Sequence, residues 1–217
     1  GGQIVIESEI DGDLVGAGGE ITVDGDVSGD VAVAGGRIMI NGDVGDDIRI
    51  TGGEIEISGK ISDDVIVAGG GTIHIFKNAE IGGDLVVNGG EVRLEGVVKG
   101  KLIANAGRVL LNGSVEQGAQ INGGSLELNG NIGEDSRLVS DQIILGSNAT
   151  FGGGIEYWTT KGKVDFKSFD ATYNEKLGEK FNQWDKTGKE FNSAFFLMCF
   201  FSGMLIVALL LFARKFF

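Results

Sequence analysis

The stretch Gly25-Asp-Val-Ser-Gly-Asp-Val-Ala-Val-Ala-Gly-Gly-Arg-Ile-Met-Ile-Asn-Gly42 decides how this chain is read, because its pattern returns almost unchanged on both sides of it. The Gly35-Gly36 pair has counterparts starting at Gly1, Gly18, Gly52, Gly69 and Gly89, and Ala106-Gly107, Gly123-Gly124 and Ser140-Asp141 continue the register. The numbers of these starting positions rise by a constant 17, apart from a single longer step between Gly69 and Gly89. A fixed period of this length marks a stacked repeat.

Within each repeat, counted from the first glycine, positions 4 and 6 are aliphatic: Ile21/Val23, Ile38/Ile40, Ile55/Ile57, Val92/Leu94 and Leu126/Leu128 among them. Position 10 is Ile10, Val27, Val44, Ile61, Ile81, Val98, Val115 or Ile132, and positions 14 and 16 are mostly apolar, as in Val31/Val33 and Ile48/Ile50. Period-two alternation rich in β-branched residues is a strand signal. The breaks recur too: Asp24-Gly25, Asn41-Gly42, Asn112-Gly113 and Asn129-Gly130 occupy positions 7 and 8, where a corner with positive φ is expected. A second corner falls at positions 12 and 13, and the Gly-Gly pair makes the third. The expected fold is therefore all-β: a three-sided parallel β-solenoid of about nine 17-residue coils, each made of three short strands of about three or four residues. One coil alone buries too little to offset its ordering cost, so stability must accumulate by stacking. The longer repeat takes up one residue at Gly71 and two between Phe76 and Glu80, and Asn148-Ala-Thr-Phe-Gly-Gly echoes that second bulge; both read as outward loops that keep the core in register.

The solenoid is expected over residues 1–169, ending where Phe151, Tyr157, Trp158, Phe166 and Phe169 would plug the open core, with Val164 and Phe166 as a first strand of a partial last coil. Residues 170–193 place Tyr173, Leu177, Phe181, Trp184 and Phe191 on one stripe of an amphipathic helix, read either as a juxtamembrane stalk or as a partner-binding helix. Residues 194–213 form an uncharged 20-residue run with Phe195, Leu205 and Leu210 as apolar anchors, long enough for one transmembrane helix, followed by a tail over 214–217. Lys180, Lys186 and Lys189 precede the run and Arg214 and Lys215 follow it, so the basic count does not orient it. The chain opens at Gly1 on a repeat boundary, consistent with a removed targeting segment or an excised fragment, and it stops four residues past the span, leaving room for further spans in a longer protein.

Composition narrows the function classes. Through Phe169 there are 26 acidic and 12 basic residues, so the repeat region is a poor partner for nucleic acid and is repelled by an anionic bilayer surface. Cys199, the sole cysteine, lies in the apolar run and His74 is the sole histidine; no nucleophile–base pair is available outside the span, and no enzyme activity and no cofactor are expected. An acyltransferase of the hexapeptide-repeat kind needs a six-residue period, which is absent, and His74 between inward Ile73 and Ile75 should point to solvent. The strongest candidate site is the acidic column Asp13, Asp30, Asp47, Asp64, Asp84 and Asp135 at position 13, interrupted at Lys101 and Gly118. Stacked at about 4.8 Å, these carboxylates either cap the corner by accepting backbone N–H groups or bind calcium, although the glycine-rich calcium nonapeptide is absent. Asn112-Gly-Ser114 and Asn148-Ala-Thr150 match the N-glycosylation acceptor pattern.

The repeat typified by residues 25–42 resembles the bactofilin, or polymer-forming cytoskeletal, family over about residues 1–157. That resemblance implies a β-helix that polymerises end to end without nucleotide and serves as a scaffold in cell shape, polarity and envelope organisation. The C-terminal helix and span make the chain more similar to the membrane-linked branch, whose repeat domain follows a signal peptide and precedes transmembrane helices. The expected role is a membrane-anchored scaffold whose first coil offers Ile4, Ile6, Ile10 and Leu14 to a second copy, with the solenoid outside the cytoplasm. The alternatives are a monomeric rigid spacer or accessory subunit bound to another membrane protein, and a surface module for calcium or glycans.

Overall fold

The structure, a computed structural model, describes residues 2–179. The chain divides into two units, residues 1–174 and 175–217. The first is an all-β parallel solenoid of about ten turns. In the second, residues 175–179 form a short helix. Among the described residues no helix is long and apolar enough to cross a membrane. The expected span at 194–213, with Phe195, Leu205 and Leu210, and most of the expected amphipathic helix lie outside the described residues.

Each coil contributes to two sheets. A wide sheet of twelve strands runs from Gln3–Ile6 through Leu14–Val23, Val31–Ile40 and their successors to Ile155–Thr159 and Ala171–Tyr173. A narrow sheet of six strands stacks two-residue segments such as Lys60–Ile61, Val97–Val98 and Asn131–Ile132. Position 10 extends that column through the bridges Ile10↔Val27, Val27↔Val44 and Val44↔Ile61. Every pairing is parallel, and Val31↔Ile48 and Ile38↔Ile55 show the one-repeat step directly.

The strands through the glycine pair are longer than the repeat pattern suggests. Val31–Ile40 is one strand of ten residues, not two short ones. The bend is made by a phase shift: Val31 and Val33 point inward, the Gly35-Gly36 pair intervenes, and Ile38 and Ile40 point inward again. Two odd-numbered inward residues are followed by two even-numbered ones, so the face turns while the coil-to-coil pairing continues through Gly35↔Gly52.

The glycines act through steric fit, not through φ. Among the described residues positive φ occurs only at Gly12, Gly162 and Lys167, so the expected left-handed corners at Gly25, Gly42, Gly113 and Gly130 are not formed. A Cβ at Gly42 would instead collide with the carbonyl of Gly25 one coil back, and the same collision recurs at Gly59, Gly113 and Gly130. At the Gly-Gly corner the crowding is milder, with a Cβ at Gly35 falling 2.9 Å from the Gly18 carbonyl oxygen. That is why Ala106 and Ser140 are tolerated there. Ser140 is fully buried and its hydroxyl donates to the backbone.

The insertions leave the core register intact. Across the long repeat the wide sheet pairs Ile55 with Ile73 and Val65 with Leu85, so the extra residues are absorbed between rungs while aliphatics still stack on aliphatics. The extra residues stay close to the coil: the Gly70 and Gly71 N–H groups meet the Gly52 and Gly53 carbonyls at 3.0 Å, and Ala79 turns into the core, so only Lys77 and Asn78 stand out at the second insertion and the outward loops expected from the sequence form in part.

The C-terminal end closes differently from the reading of the sequence. Residues 160–170 cross the end as a loop, and the last strand is Ala171–Tyr173, paired with Ile155–Tyr157. Residues 171–173 are thus the final rung of the solenoid and not the start of a helix, because Tyr173 packs edge-on against Tyr157, with ring centroids 5.5 Å apart. Phe166 is buried against Tyr157 and Phe151, and Phe169 also meets Phe151. The Tyr157 hydroxyl ties the loop down by exchanging hydrogen bonds with the carbonyl and N–H of Val164, both 3.1 Å. Lys167 takes its left-handed φ of 59° between the two phenylalanines.

Two substitutions test the steric account. Gly42→Ala should destabilise the solenoid by about 1–3 kcal/mol, the cost of overpacking, seen as a lower Tm. Gly70→Ala, whose Cβ would meet nothing within 4 Å, should leave Tm unchanged or slightly higher by thermal melting.

Candidate functional site

The position-13 aspartates stack along one corner, and their first task is to complete the backbone. The Oδ1 of Asp13 accepts the N–H of Asp30 at 3.0 Å, Asp30 that of Asp47 at 3.2 Å, and Asp47 that of Asp64 at 3.1 Å. Asp64 accepts from Asp84 and Asp84 from Lys101, both at 2.7 Å. Where Lys101 and Gly118 offer no carboxylate the chain of caps breaks, and it resumes with Asp135 accepting from Gly154 at 2.8 Å. Each aspartate therefore caps the coil that follows it, a tertiary version of the turn-capping role.

A second column does the same work and was not singled out from the sequence. Asp26 Oδ1 accepts the N–H of Asp43, and Asp43 Oδ1 that of Lys60, each at 2.8 Å. Asn88, Asn105 and Asn122, each just before a corner pair, form a side-chain amide ladder at 3.0 and 2.9 Å. The signal for both was present: a polar residue of one type recurring at one repeat position.

The second carboxylate oxygens carry the electrostatics. Arg49 bridges Asp30 Oδ2 at 2.9 Å and Asp47 Oδ2 at 2.6 Å. The hydrogen bond to Asp30 is the largest of the causes that raise its pKa. Beyond Arg49 the acids are unbalanced. Oxygens of Asp30, Asp46 and Asp47, and separately of Asp47, Asp63 and Asp64, lie within 4.8 Å of one another. Asp64 first, then some desolvation and the more distant Asp47, Asp46 and Asp84, push the Asp63 carboxyl above its ordinary value. The oxygen-only donor sets and their spacing suit a hard cation such as calcium, with Arg49 already competing for Asp30 and Asp47.

Next to the break in the column an open groove of about 930 Å³ runs over the outer surface, bounded by Lys101, Gly118, Asp135, Arg137, Glu156 and Thr172. Its floor is lowered by Gly118 and Gly152 to Gly154, which lack side chains.

The residues expected at the self-association face lie at the first coil. Ile4, Ile6, Ile10 and Leu14 pack against the core but remain partly exposed. Their equivalents one coil on, Ile21, Val23, Val27 and Val31, are 0–1% exposed. His74 points outward, but not into open solvent: it stacks on Phe76 at 3.9 Å, and its Nε2 lies 3.4 Å from Glu95 Oε2.

Comparisons of the chain with family models, with curated proteins and with solved structures return no match.

Two measurements probe the column. Asp64→Ala removes the acceptor for the Asp84 N–H and should cost about 1–3 kcal/mol, whereas Asp64→Asn keeps an acceptor oxygen and should melt within about 1 °C of the parent or higher. For Asp63 the folded pKa lies above the unfolded one, so its charge disfavours folding above the folded pKa, and the penalty disappears once pH falls below the unfolded value. Asp63→Asn should therefore raise Tm at pH 7, and the gain should vanish near pH 3; a gain that grows on acidification contradicts this assignment.

Proposed function

We propose that this chain is a bactofilin-like structural scaffold, anchored in a membrane through residues 194–213, that self-associates through the end of its solenoid. The observation that carries the reading is the contrast between the first and last described coils. At the first coil Ile4, Ile6, Ile10 and Leu14 present core aliphatics whose equivalents in the next coil are fully covered. At the last coil Phe151, Tyr157, Phe166, Phe169 and Tyr173 fill the corresponding space with rings.

An open coil edge with an apolar interior is a template for another coil, since backbone N–H and C=O groups and side chains together repeat the pattern of the chain itself. A second copy presents such a coil, and joining through first coils gives an isologous contact in which the two edge strands meet antiparallel. The repeat similarity to bactofilins in residues 25–42 supports the same reading. So does the absence of a nucleophile–base arrangement in the sequence: His74 and Cys199 are the only histidine and cysteine. The resemblance to the membrane-linked branch, whose repeat domain follows a signal peptide, supports placement of the solenoid outside the cytoplasm. Another membrane protein remains a partner for the segment after residue 174, with the solenoid then serving as a rigid spacer.

A calcium-dependent surface role is the second reading, favoured by the two acidic triads around Asp47. Calorimetry separates it: binding heat lost in Asp47→Asn supports it, and no heat at millimolar calcium removes it.

The scaffold reading is tested by Ile4→Lys with Ile6→Lys in the detergent-solubilised full chain. Assemblies larger than one copy should disappear on size exclusion with light scattering and in electron micrographs, while the circular dichroism of the remaining coils persists. Unchanged assembly overturns end-on association, and a parent protein that is already monodisperse and monomeric favours the spacer.

A further inference from the structure

The two Asn-X-Ser/Thr triplets are equivalent as sequence but not as structure. Both begin on the same corner of the solenoid, two coils apart, because Leu111 pairs with Leu128 and Leu128 with Leu145. At Asn112 the corner has the standard length. Gly113 N–H is held by the Leu94 carbonyl at 2.9 Å, and Ser114 is half-buried in the short strand Ser114–Val115. The Ser114 hydroxyl oxygen also accepts the Asn131 side-chain N–H at 3.2 Å.

At Asn148 the corner is two residues longer. Leu145 keeps the standard one-repeat step from its partner Leu128, and the Gly146 N–H still meets the Leu128 carbonyl at 2.7 Å, whereas the step from Ile132 to its partner Phe151 is longer, so the extra residues fall between Gly146 and Thr150, where Ser147 and Asn148 are exposed. Asn148 and Thr150 are both exposed. The Asn148 backbone N–H is held by Asn129 Oδ1 at 3.1 Å, but its carboxamide has no partner among the described residues. The Thr150 hydroxyl donates to Asn131 Oδ1 at 2.9 Å on the surface. Asn112 is exposed as well, and Thr150 opens the strand Thr150–Phe151 as Ser114 opens its own; what separates the triplets is the longer turn that carries Asn148 and the exposed Thr150 side chain against the half-buried Ser114.

We propose that Asn148 is an attachment site for an N-linked glycan in the folded chain, and that Asn112 is not. The inference rests on the extracytoplasmic placement given above, since the donor and transferase for this chemistry act on that side of a membrane. The Asn148 Nδ2 attacks the anomeric carbon of an oligosaccharide carried on a polyprenyl phosphate. A C–N bond forms as the C–O bond to phosphate breaks; the lipid phosphate leaves with that electron pair, and one amide proton passes to a base of the transferase. No oxidant or reductant is needed. A glycan there sits on a different corner from the position-13 aspartates and at the other end of the stack from the first coil, so it leaves both surfaces clear.

The test uses the purified full chain in detergent with an oligosaccharyltransferase and its lipid-linked oligosaccharide, read by mass spectrometry of the peptides. Synthetic peptides spanning residues 108–116 and 144–152 serve as unfolded references. The folded chain should be modified at Asn148 at least tenfold more than at Asn112, with modification abolished in Asn148→Gln and retained in Asn112→Gln, while both peptides accept sugar. An unmodified folded chain, equal or greater modification at Asn112, or an inert 144–152 peptide each overturns the assignment. Since the transferase meets purified protein, such a failure leaves the placement standing; placement is read separately, by protease access to the solenoid in intact cells.

Discussion

The in-register hydrogen-bond ladder between successive coils is the constraint on which everything else in this molecule depends. Each coil hands its backbone donors and acceptors to the next coil along the stack, as Val27 N–H does to the Asp43 carbonyl and Val31 N–H to that of Asp47. Parallel pairing of this kind leaves no room for slippage: a shift by a single position would send Ile38 and Ile40 outward and Arg37 and Met39 into the core. Insertions are therefore confined to corners, where Gly70-Gly71, Lys77-Asn78 and Ser147-Asn148 are taken up without disturbing the aliphatic columns. Glycines recur at position 8 for the same reason, since the close approach of one coil to the next leaves no volume for a Cβ.

The acidic corner shows the ladder imposing a cost and then using it. Placing like charges at one repeat position stacks them within a few ångströms, which raises the pKa of Asp63 and is only partly offset by Arg49. Yet the position-13 aspartates each supply an acceptor to a backbone N–H at a corner that the strand ladder does not reach. The exposed ion pairs on the other faces, such as Arg37 with Glu54 and Glu56, alternate in sign along the stack and act mainly to favour one register, since solvent-exposed pairs contribute little net stability. Ends matter more in such a fold than in a globular one. A solenoid is quasi-one-dimensional, so each end must be closed from within or by another molecule. Here rings fill the last coil, while Ile4 and Leu14 in the first described coil are partly covered.

Much of this was legible from residues alone, because identity of position is what a repeat encodes. The inward columns, the positions of the insertions at Gly71 and after Phe76, and the aromatic end followed from counting; that Ala79 turns into the core did not. What counting misjudged was mechanism. Asn41-Gly42 and Asn112-Gly113 look like left-handed corners, but their backbone is ordinary and the glycine is required by the neighbouring coil. Val31–Ile40 looks like two strands interrupted by glycine, but the ladder runs through the bend. Ala171 to Tyr173 looked like the first turn of a helix until the exposed edge of Ile155–Tyr157 claimed it. His74 alternates outward as expected, and only the fold brings Phe76 and Glu95 against it.

By itself the sequence determined the repeat length, which residues line the interior, where charge accumulates and where rings close the core, since each follows from the period and chemistry of a local pattern. Only the tertiary structure decided which backbone groups the aspartates cap, why glycine cannot be replaced at the tight corners, where the last rung lies, and which of the two Asn-X-Ser/Thr triplets sits in a longer turn. Those answers depend on what sits one coil away, a neighbour a full repeat distant along the chain, whose atoms no local pattern contains.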